Sequence, residues 1–228
     1  MVTAQAGVSV AGSDVHVPAE ALDVDGFRAW VTSAAFPEKA VRASFIAGEV
    51  LLDRSPESIE SHSKVKLEVA AAVLRLVERE DRGEVYVDRV LLSHPETGLS
   101  SEPDLFFASW QSLESGRVRL TPKGGRDGDY VEVVGTPDLV VEIVSDSSVH
   151  KDTTMLREAY RRAEVPEYWL IDARPAELRF EILRLTDDGH VASAPTTEPQ
   201  TSTVLDRRCS LSRQRNRAGR FRYELRFV

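Results

Sequence analysis

The sequence predicts a mixed α/β fold in which one helix packs against each face of a sheet. Three observations lead to this prediction: an amphipathic helical pattern over about 58–80, a series of strand-like segments between 84 and 145, and a second helical pattern over about 149–163 followed by another strand. Of the 228 residues, 42% are apolar and 29% charged, which is typical of a globular domain.

The N-terminal residues are small and polar with scattered valines, so we predict a flexible leader over 1–20 and a single domain over 21–228. A short helix is expected around 27–35, followed by a hairpin-like pair of strands that ends at Asp53. The leader lacks a basic segment followed by an apolar core, so the sequence does not predict a signal peptide.

The first long helix is predicted over about 58–80. Ser55 is a candidate cap and Pro56 suits the first helical position, while Gly83 ends the pattern. The apolar positions of this segment recur at helical spacing: Val65, Val69, Val73, Leu76 and Val77.

Strands are predicted on both sides of the second helix. They are expected near 84–93, 103–109, 129–145 (two strands), 167–173 and 178–185. The composition of the glycine-rich stretch 112–129 favours a polar connection. The C-terminal residues suggest a final β-hairpin, because Phe221, Tyr223, Leu225 and Phe227 alternate with polar residues.

Charge and cysteine content restrict the class of protein. No apolar run approaches the ~20 residues that a membrane span needs, so no membrane association is expected. The single cysteine, Cys209, cannot form an internal disulfide, and we expect a cytoplasmic protein. The net charge of −8 argues against general coating of nucleic acid. However, eight arginines lie between residues 207 and 226, and these could contact a phosphate backbone, an acidic partner subunit or solvent.

One carboxylate stands out because it lies in an apolar strand. Glu142 interrupts the run VVEIV, and an ionised carboxylate buried there needs a cation, a hydrogen-bond network or a metal ion. Asp138 shares its strand face, although we interpret that residue as a turn aspartate at the strand entry. Asp104 would join Glu142 if their strands are neighbours, and two converging carboxylates suit Mg²⁺.

Several motifs resemble the Uma-type restriction endonucleases, a branch of the PD-(D/E)XK nuclease-like superfamily. They are, in order, EPDLFF, PDLVVEIVSDSS, LREAY and VPEYWLIDA. The resemblance implies a restriction-endonuclease-like mixed sheet with an αβββαβ core, flanking helices and Mg²⁺- or Mn²⁺-dependent hydrolysis of DNA by a homodimer. It implies Asp104 and Glu142 as metal ligands, with Glu68 or His62 as support from the first helix.

The sequence departs from this family at the catalytic lysine. Val144 and Leu156 occupy the two positions where the resemblance leads one to expect lysine. Lys151, at the start of the second helix, is therefore the candidate third catalytic residue, and Arg157 is the other nearby cation. The alternatives are a catalytically impaired nuclease-fold protein that binds DNA or a protein partner, and a structural protein in which Glu142 is only paired.

Two further residues on the second helix are candidate supporting residues. Asp152 and Tyr160 are eight residues apart and share a helix face, so a structural link to the sheet is as consistent with the pattern as a role in catalysis. Asp152 could also complement the helix dipole. Tyr168 and Trp169 are interpreted as core residues, and Asp172 as a turn residue.

Overall fold

The computed structural model of the chain describes residues 7–9, 15–37, 41–124, 126–174, 176–195 and 198–228. Within these ranges the α-helices are α1 (Val24–Val31), α2 (Lys64–Arg79), α3 (Trp110–Glu114) and α4 (Leu156–Arg162). The strands are β1 (Gly7–Ser9), β2 (His16–Pro18), β3 (Arg42–Ile46), β4 (Glu49–Asp53), β5 (Gly83–Val87), β6 (Leu91–His94), β7 (Leu99–Ser101), β8 (Leu105–Ser109), β9 (Val118–Pro122), β10 (Tyr130–Gly135), β11 (Leu139–Ile143), β12 (Glu167–Asp172), β13 (Arg179–Thr186), β14 (Gly189–Ala192), β15 (Gln200–Ser202), β16 (Arg207–Arg215) and β17 (Phe221–Phe227).

The central six-stranded sheet has the order β14-β13-β12-β11-β8-β5. Strand β11 pairs antiparallel with β8 and parallel with β12, and α4 lies in the crossover between β11 and β12. A parallel pair needs such a crossover connection, which is usually helical. The elements α2, β5, β8, β11, α4 and β12 therefore follow one another in the predicted αβββαβ order.

One helix covers each face of this sheet, as predicted. The five apolar positions of α2 that recur at helical spacing are buried against one face, together with Leu105, Val141 and Ile143. Leu156 and Tyr160 of α4 are buried against the other face, together with Phe106 and Val140. Each such side chain contributes roughly 1.5–3 kcal/mol by leaving water. Among the described residues, no helix is long and apolar enough to cross a bilayer.

The sequence does not predict the second six-stranded sheet. Its order is β4-β3-β7-β6-β10-β9, and it includes a strand from the segment 112–129, for which the composition predicts a polar connection. That prediction is wrong because β9 is short: only Val118 and Leu120 alternate with polar residues, and glycines and charged residues surround them. Pairing with β10, in the register Val118↔Gly135, stabilises the strand.

The segment predicted as a helix over about 58–80 is helical from Ile59 to Arg79 but has a different cap, and α1 begins earlier than predicted. The segment before α2 is a π-helical turn, Ile59–Ser63, and the Oγ of Ser58 accepts a hydrogen bond from the backbone N–H of Ser61. Ser58, and not Ser55, is therefore the cap. Helix α1 starts before the predicted residue 27, because the Asp23 carboxylate caps it by accepting from the N–H of Gly26.

The structure describes residues 7–9 and 15–20 of the predicted leader. Strand β2 pairs with β1, and Val15 and Val17 are buried in a cluster with α1. The rest of the leader prediction, over 1–6 and 10–14, lies outside the described residues.

The predicted C-terminal hairpin is present as β16 and β17, and β15 adds a third strand. Its apolar face packs on α2 through Cys209, Tyr223 and Leu225. Helix α2 is thus enclosed between the central sheet and the hairpin, which completes the apolar cluster around this helix.

Candidate functional site

Asp104 and Glu142 come from neighbouring antiparallel strands. The last paired residues are Leu105 and Val141. The next position on each strand is Asp104, just before β8, and Glu142, within β11, so these two residues lie opposite each other. Residues opposite each other in an antiparallel pair project to the same face. The Oδ2 atom of Asp104 also accepts a hydrogen bond from the backbone N–H of Ile143, at 2.8 Å. The strand pairing therefore places both carboxylates at one end of the central sheet.

A cleft of about 670 Å³ opens over these carboxylates. It lies between the end of β4, the loop after β11 and the turn that precedes α4. Its lining includes His62, Asp104, Glu142, Lys151 and Asp152, together with the cationic side chains of Arg42 and Arg54. All the candidate site residues except Glu68 and Tyr160 thus line this cleft. The cleft is large enough to hold part of a bound ligand.

Glu142 is 2% exposed, and its environment explains how an apolar strand accommodates a carboxyl group. The phenol of Tyr160 donates a hydrogen bond to Oε1 at 2.7 Å. Burial raises the pKa of Glu142 to about 8, and the charges of Asp152 and Asp104 act in the same direction, while Lys151 and the Tyr160 hydrogen bond oppose them. At neutral pH this carboxyl therefore mostly holds its proton.

Lys151 supplies a cation from the π-helical turn Lys151–Met155 that precedes α4. Its Nζ lies 3.1 Å from Oδ1 of Asp152, and Ser148 donates a hydrogen bond to the other carboxylate oxygen. Burial lowers the pKa of Lys151, but the attraction of Glu142 and Asp152 outweighs burial and raises it above its usual range. The ammonium group therefore remains charged beside the cleft.

Asp104 is held from the other side by α2 and by the π-helical turn that precedes it. His62 Nε2 lies 3.4 Å from Oδ2 of Asp104, and Lys66 Nζ lies 3.4 Å from Oδ1. Burial raises the pKa of Asp104, but these two cations and the Ile143 N–H outweigh it and lower the pKa overall. Asp104 is thus ionised at neutral pH, in contrast to Glu142.

Sequence reasoning alone does not single out Lys66. This lysine also contacts Glu57, at 2.9 Å, and Asp88, at 3.2 Å, as an ordinary charged residue of an amphipathic helix does. The available signal is its spacing of four residues from His62, which places both on one helix face. That signal becomes informative only once the packing of α2 on the sheet places this face beside Asp104.

Replacing Lys66 by methionine is expected to raise the pKa of His62. Burial disfavours the imidazolium, Asp104 favours it, and the nearby positive charge of Lys66 lowers the pKa. Removing that charge therefore makes protonation easier. NMR titration of the imidazole measures the change, with Lys64→Met as the control, because Lys64 pairs with Glu60 instead. An unchanged His62 titration in Lys66→Met would contradict this interaction.

Other predicted residues lie away from the cleft. Glu68 accepts a hydrogen bond from the backbone N–H of Leu225, at 3.0 Å, and does not line the cleft. Asp138 accepts from the N–H of Ser109 and pairs with Arg117. These contacts place Glu68 at the C-terminal hairpin and Asp138 at the start of α3.

The two positions where the resemblance leads one to expect lysine are both apolar and buried. Val144 is 1% exposed, and Leu156 is 0% exposed within the cluster under α4. Arg157 donates a hydrogen bond to the carbonyl of His190, on the far side of α4. Of the two substitute cations that the sequence suggests, Lys151 is therefore the one that lines the cleft.

The donor set fits a magnesium-type ion. Among the residues that the structure describes, no group of three His, Cys, Asp or Glu side chains is placed so as to hold a metal ion. Mg²⁺ does not require three protein ligands, since it retains several waters and is often bound by one or two carboxylates plus substrate phosphate. Asp104 and Glu142, at the border of one water-accessible cleft, satisfy that requirement.

The αβββαβ core defines a nuclease-like domain of the restriction-endonuclease class. The family model Uma2, described as "Putative restriction endonuclease", matches residues 29–212, and the chain belongs to this family. A crystal structure titled a putative nuclease of DUF820 from Anabaena variabilis ATCC 29413 is 17% identical, with a TM-score of 0.49, and the match covers 81% of this chain and 96% of that one. No curated protein matches the chain.

Proposed function

We propose that the protein is a divalent-metal-dependent endonuclease that hydrolyses phosphodiester bonds of DNA. In this proposal Asp104 and Glu142 bind Mg²⁺ or Mn²⁺, and Lys151 is the catalytic cation. One observation carries the proposal: two carboxylates from adjacent central strands border the same cleft as a charged lysine, in a chain of the restriction endonuclease family. Because cutting both strands of a duplex takes two such sites, we also propose a homodimer.

The residues of the cleft divide the chemical work. A bound divalent ion would polarise a phosphoryl oxygen and lower the pKa of the attacking water. Asp104 offers an ionised oxygen because His62 and Lys66 compensate its burial. Lys151 keeps a positive charge where negative charge develops on the phosphate. Asp152 fixes the direction of the Lys151 ammonium group and Tyr160 fixes that of the Glu142 carboxyl.

Metal binding is expected to release about one proton below pH 8, because Glu142 must lose its proton to act as a ligand. Affinity for Mn²⁺ should therefore rise as the pH rises from 6 to 8. Calorimetric titrations in buffers of different ionisation enthalpy measure the number of protons released and the affinity for Mn²⁺. Glu142→Gln and Asp104→Asn should each abolish binding, and Glu68→Gln, a matched change outside the cleft, should not. Binding by Glu142→Gln equal to that of wild type would refute the ligand assignment.

A second candidate function rests on a specific observation. Buried Val144 and Leu156 leave the expected lysine positions without a charge, which favours a family member that binds DNA without cutting it. Plasmid cleavage with Mn²⁺ separates the two candidates. Cleavage by wild type that is lost in Asp104→Asn supports the nuclease assignment. Metal and DNA binding without cleavage supports the binding protein.

A further inference from the structure

The C-terminal hairpin is strongly basic although the chain is acidic overall. Residues 207–228, here called the arginine hairpin, carry eight arginines and a single glutamate in a chain of net charge −8. The family match ends at residue 212, so the turn and β17 lie beyond the residues that the family model covers. Six of the eight arginines therefore lie outside the matched residues.

Part of this charge is neutralised within the protein. Arg207 pairs with Glu80, and Arg226 pairs with Glu224. The arginines nearest the tip are exposed and, among the described residues, form no ion pair with a carboxylate: Arg217, Arg220 and Arg222. These three guanidinium groups are available to a partner.

Two contacts place the tip of the hairpin at the same end of the core as the cleft. The N–H of Phe221 donates to Oε2 of Glu60 at 2.8 Å, and Lys64 Nζ donates to the Phe221 carbonyl at 3.1 Å. Glu60 lies two residues before His62, which lines the cleft. The turn 216–220 therefore lies beside the start of α2, where this helix approaches Asp104.

The other strand of the hairpin is anchored near the loop that follows β11. Arg213 donates to the carbonyl of Ala173, the residue after β12, at 2.8 Å. The adjacent Arg174 pairs with Asp146, whose neighbours Ser145 and Ser147 line the cleft. One edge of the hairpin is thus bonded to the segment that carries His62, and the other to residue 173, next to the arginine that pairs with Asp146.

The base of the tip is also held rigid. The guanidinium groups of Arg213 and Arg215 lie 4.4 and 4.7 Å from the centroid of the Phe221 ring. Such cation–π contacts restrict long side chains that otherwise lose rotamer entropy on binding. The side chains of Arg213 and Arg215, at the base of the tip, are therefore partly preorganised before a ligand arrives.

We infer that the arginine hairpin binds the sugar-phosphate backbone of a DNA duplex whose scissile phosphate enters the cleft. The inference rests on the proposed function for its choice of ligand. Guanidinium groups bind phosphate oxygens in a bidentate manner, and they carry charge at every physiological pH. A net acidic protein with carboxylates in its cleft repels DNA unless a local basic surface attracts it, and the hairpin provides such a surface beside that cleft.

The test is DNA binding without catalysis. Fluorescence anisotropy of a labelled DNA duplex in EDTA buffer would be measured at several salt concentrations for wild type and for the triple variant Arg217→Gln, Arg220→Gln, Arg222→Gln. The variant should bind at least tenfold more weakly. The slope of log K against log salt concentration should be shallower by about 0.9 for each phosphate that the variant no longer neutralises. The triple variant Arg75→Gln, Arg119→Gln, Arg126→Gln makes the same charge change at exposed positions elsewhere and should behave like wild type.

Cleavage with Mn²⁺, measured at saturating protein, separates this inference from the proposed function. Reduced binding by the hairpin variant supports the inference whether or not wild type cuts DNA. If wild type cuts DNA while the hairpin variant binds as tightly as the control variant, the inference is overturned and the nuclease assignment stands. Absence of both binding and cleavage in wild type overturns both, and the basic surface then fits an acidic protein partner.

Discussion

Leu156→Lys is expected to raise DNA cleavage with Mn²⁺ by roughly 10²–10³-fold over wild type. The reason is that a preorganised donor aimed at developing charge is worth roughly 3–4 kcal/mol. Residues 152, 156 and 160 are spaced by four and share one face of the helical segment. Asp152 lines the cleft and Tyr160 contacts Glu142, so a lysine between them would direct its ammonium group towards that carboxylate.

This substitution also has a structural cost. Leu156 is 0% exposed, and burying a lysine there is expected to lower the free energy of unfolding by about 1–3 kcal/mol. Attraction of the lysine to Glu142 and Asp152 would make this decrease smaller. Leu156→Met is the matched control because it keeps the volume without adding charge. If both variants fold and cut at the wild-type rate, position 156 does not face the reacting phosphate.

Lys151 provides the complementary experiment. Lys151→Ala should abolish the cleavage that wild type shows, while Lys151→Arg should retain part of it because the charge is kept. If Lys151→Ala leaves a measurable wild-type rate unchanged, Lys151 is not the catalytic cation. If wild type and Leu156→Lys are both inactive, the binding protein becomes the better candidate function.

Much of the central sheet could be predicted because local patterns there agree with the tertiary structure. The helical spacing of the apolar residues in α2 and the valine-rich β11 are strong local signals. Strand parity relates Glu142 only to Asp138, on the same strand, and the observed β8–β11 pairing is what makes Asp104 a neighbour of Glu142. From the sequence pattern alone, the convergence of Asp104 and Glu142 is therefore predicted only on the condition that their strands are neighbours.

Residues that depend on tertiary packing could not be predicted. Lys66 contacts Asp104 across the packing of α2 against the end of the sheet, and the local sequence pattern does not specify that contact. A buried acid is also not by itself evidence for a site. Glu167 is as buried as Glu142, but it accepts hydrogen bonds from Trp169, Ser202 and Thr203 and so anchors the segment before the hairpin.

Glu142→Gln is expected to leave the metal-free protein as stable as wild type at pH 5 and more stable at pH 8. In the folded protein burial raises the pKa of Glu142 from 4.5 to about 8. Between these two values the folded state binds a proton that the unfolded state has lost, so the free energy of unfolding of wild type falls as the pH rises. The decrease is up to roughly 5 kcal/mol, at 1.36 kcal/mol for each unit of pKa.

Glutamine removes this titration but keeps an acceptor for the Tyr160 hydroxyl, so the variant should lack this part of the pH dependence. Urea unfolding at pH 5, 6, 7 and 8 in EDTA measures the difference, and Glu68→Gln controls for the removal of a carboxylate elsewhere on the protein. Mg²⁺ or Mn²⁺ should then raise the melting temperature of wild type and leave that of Glu142→Gln unchanged, because an ion that binds only the folded state stabilises it. A variant that is less stable than wild type at every pH would show instead that Glu142 forms a structural ion pair with Lys151, and the metal site would have to be given up.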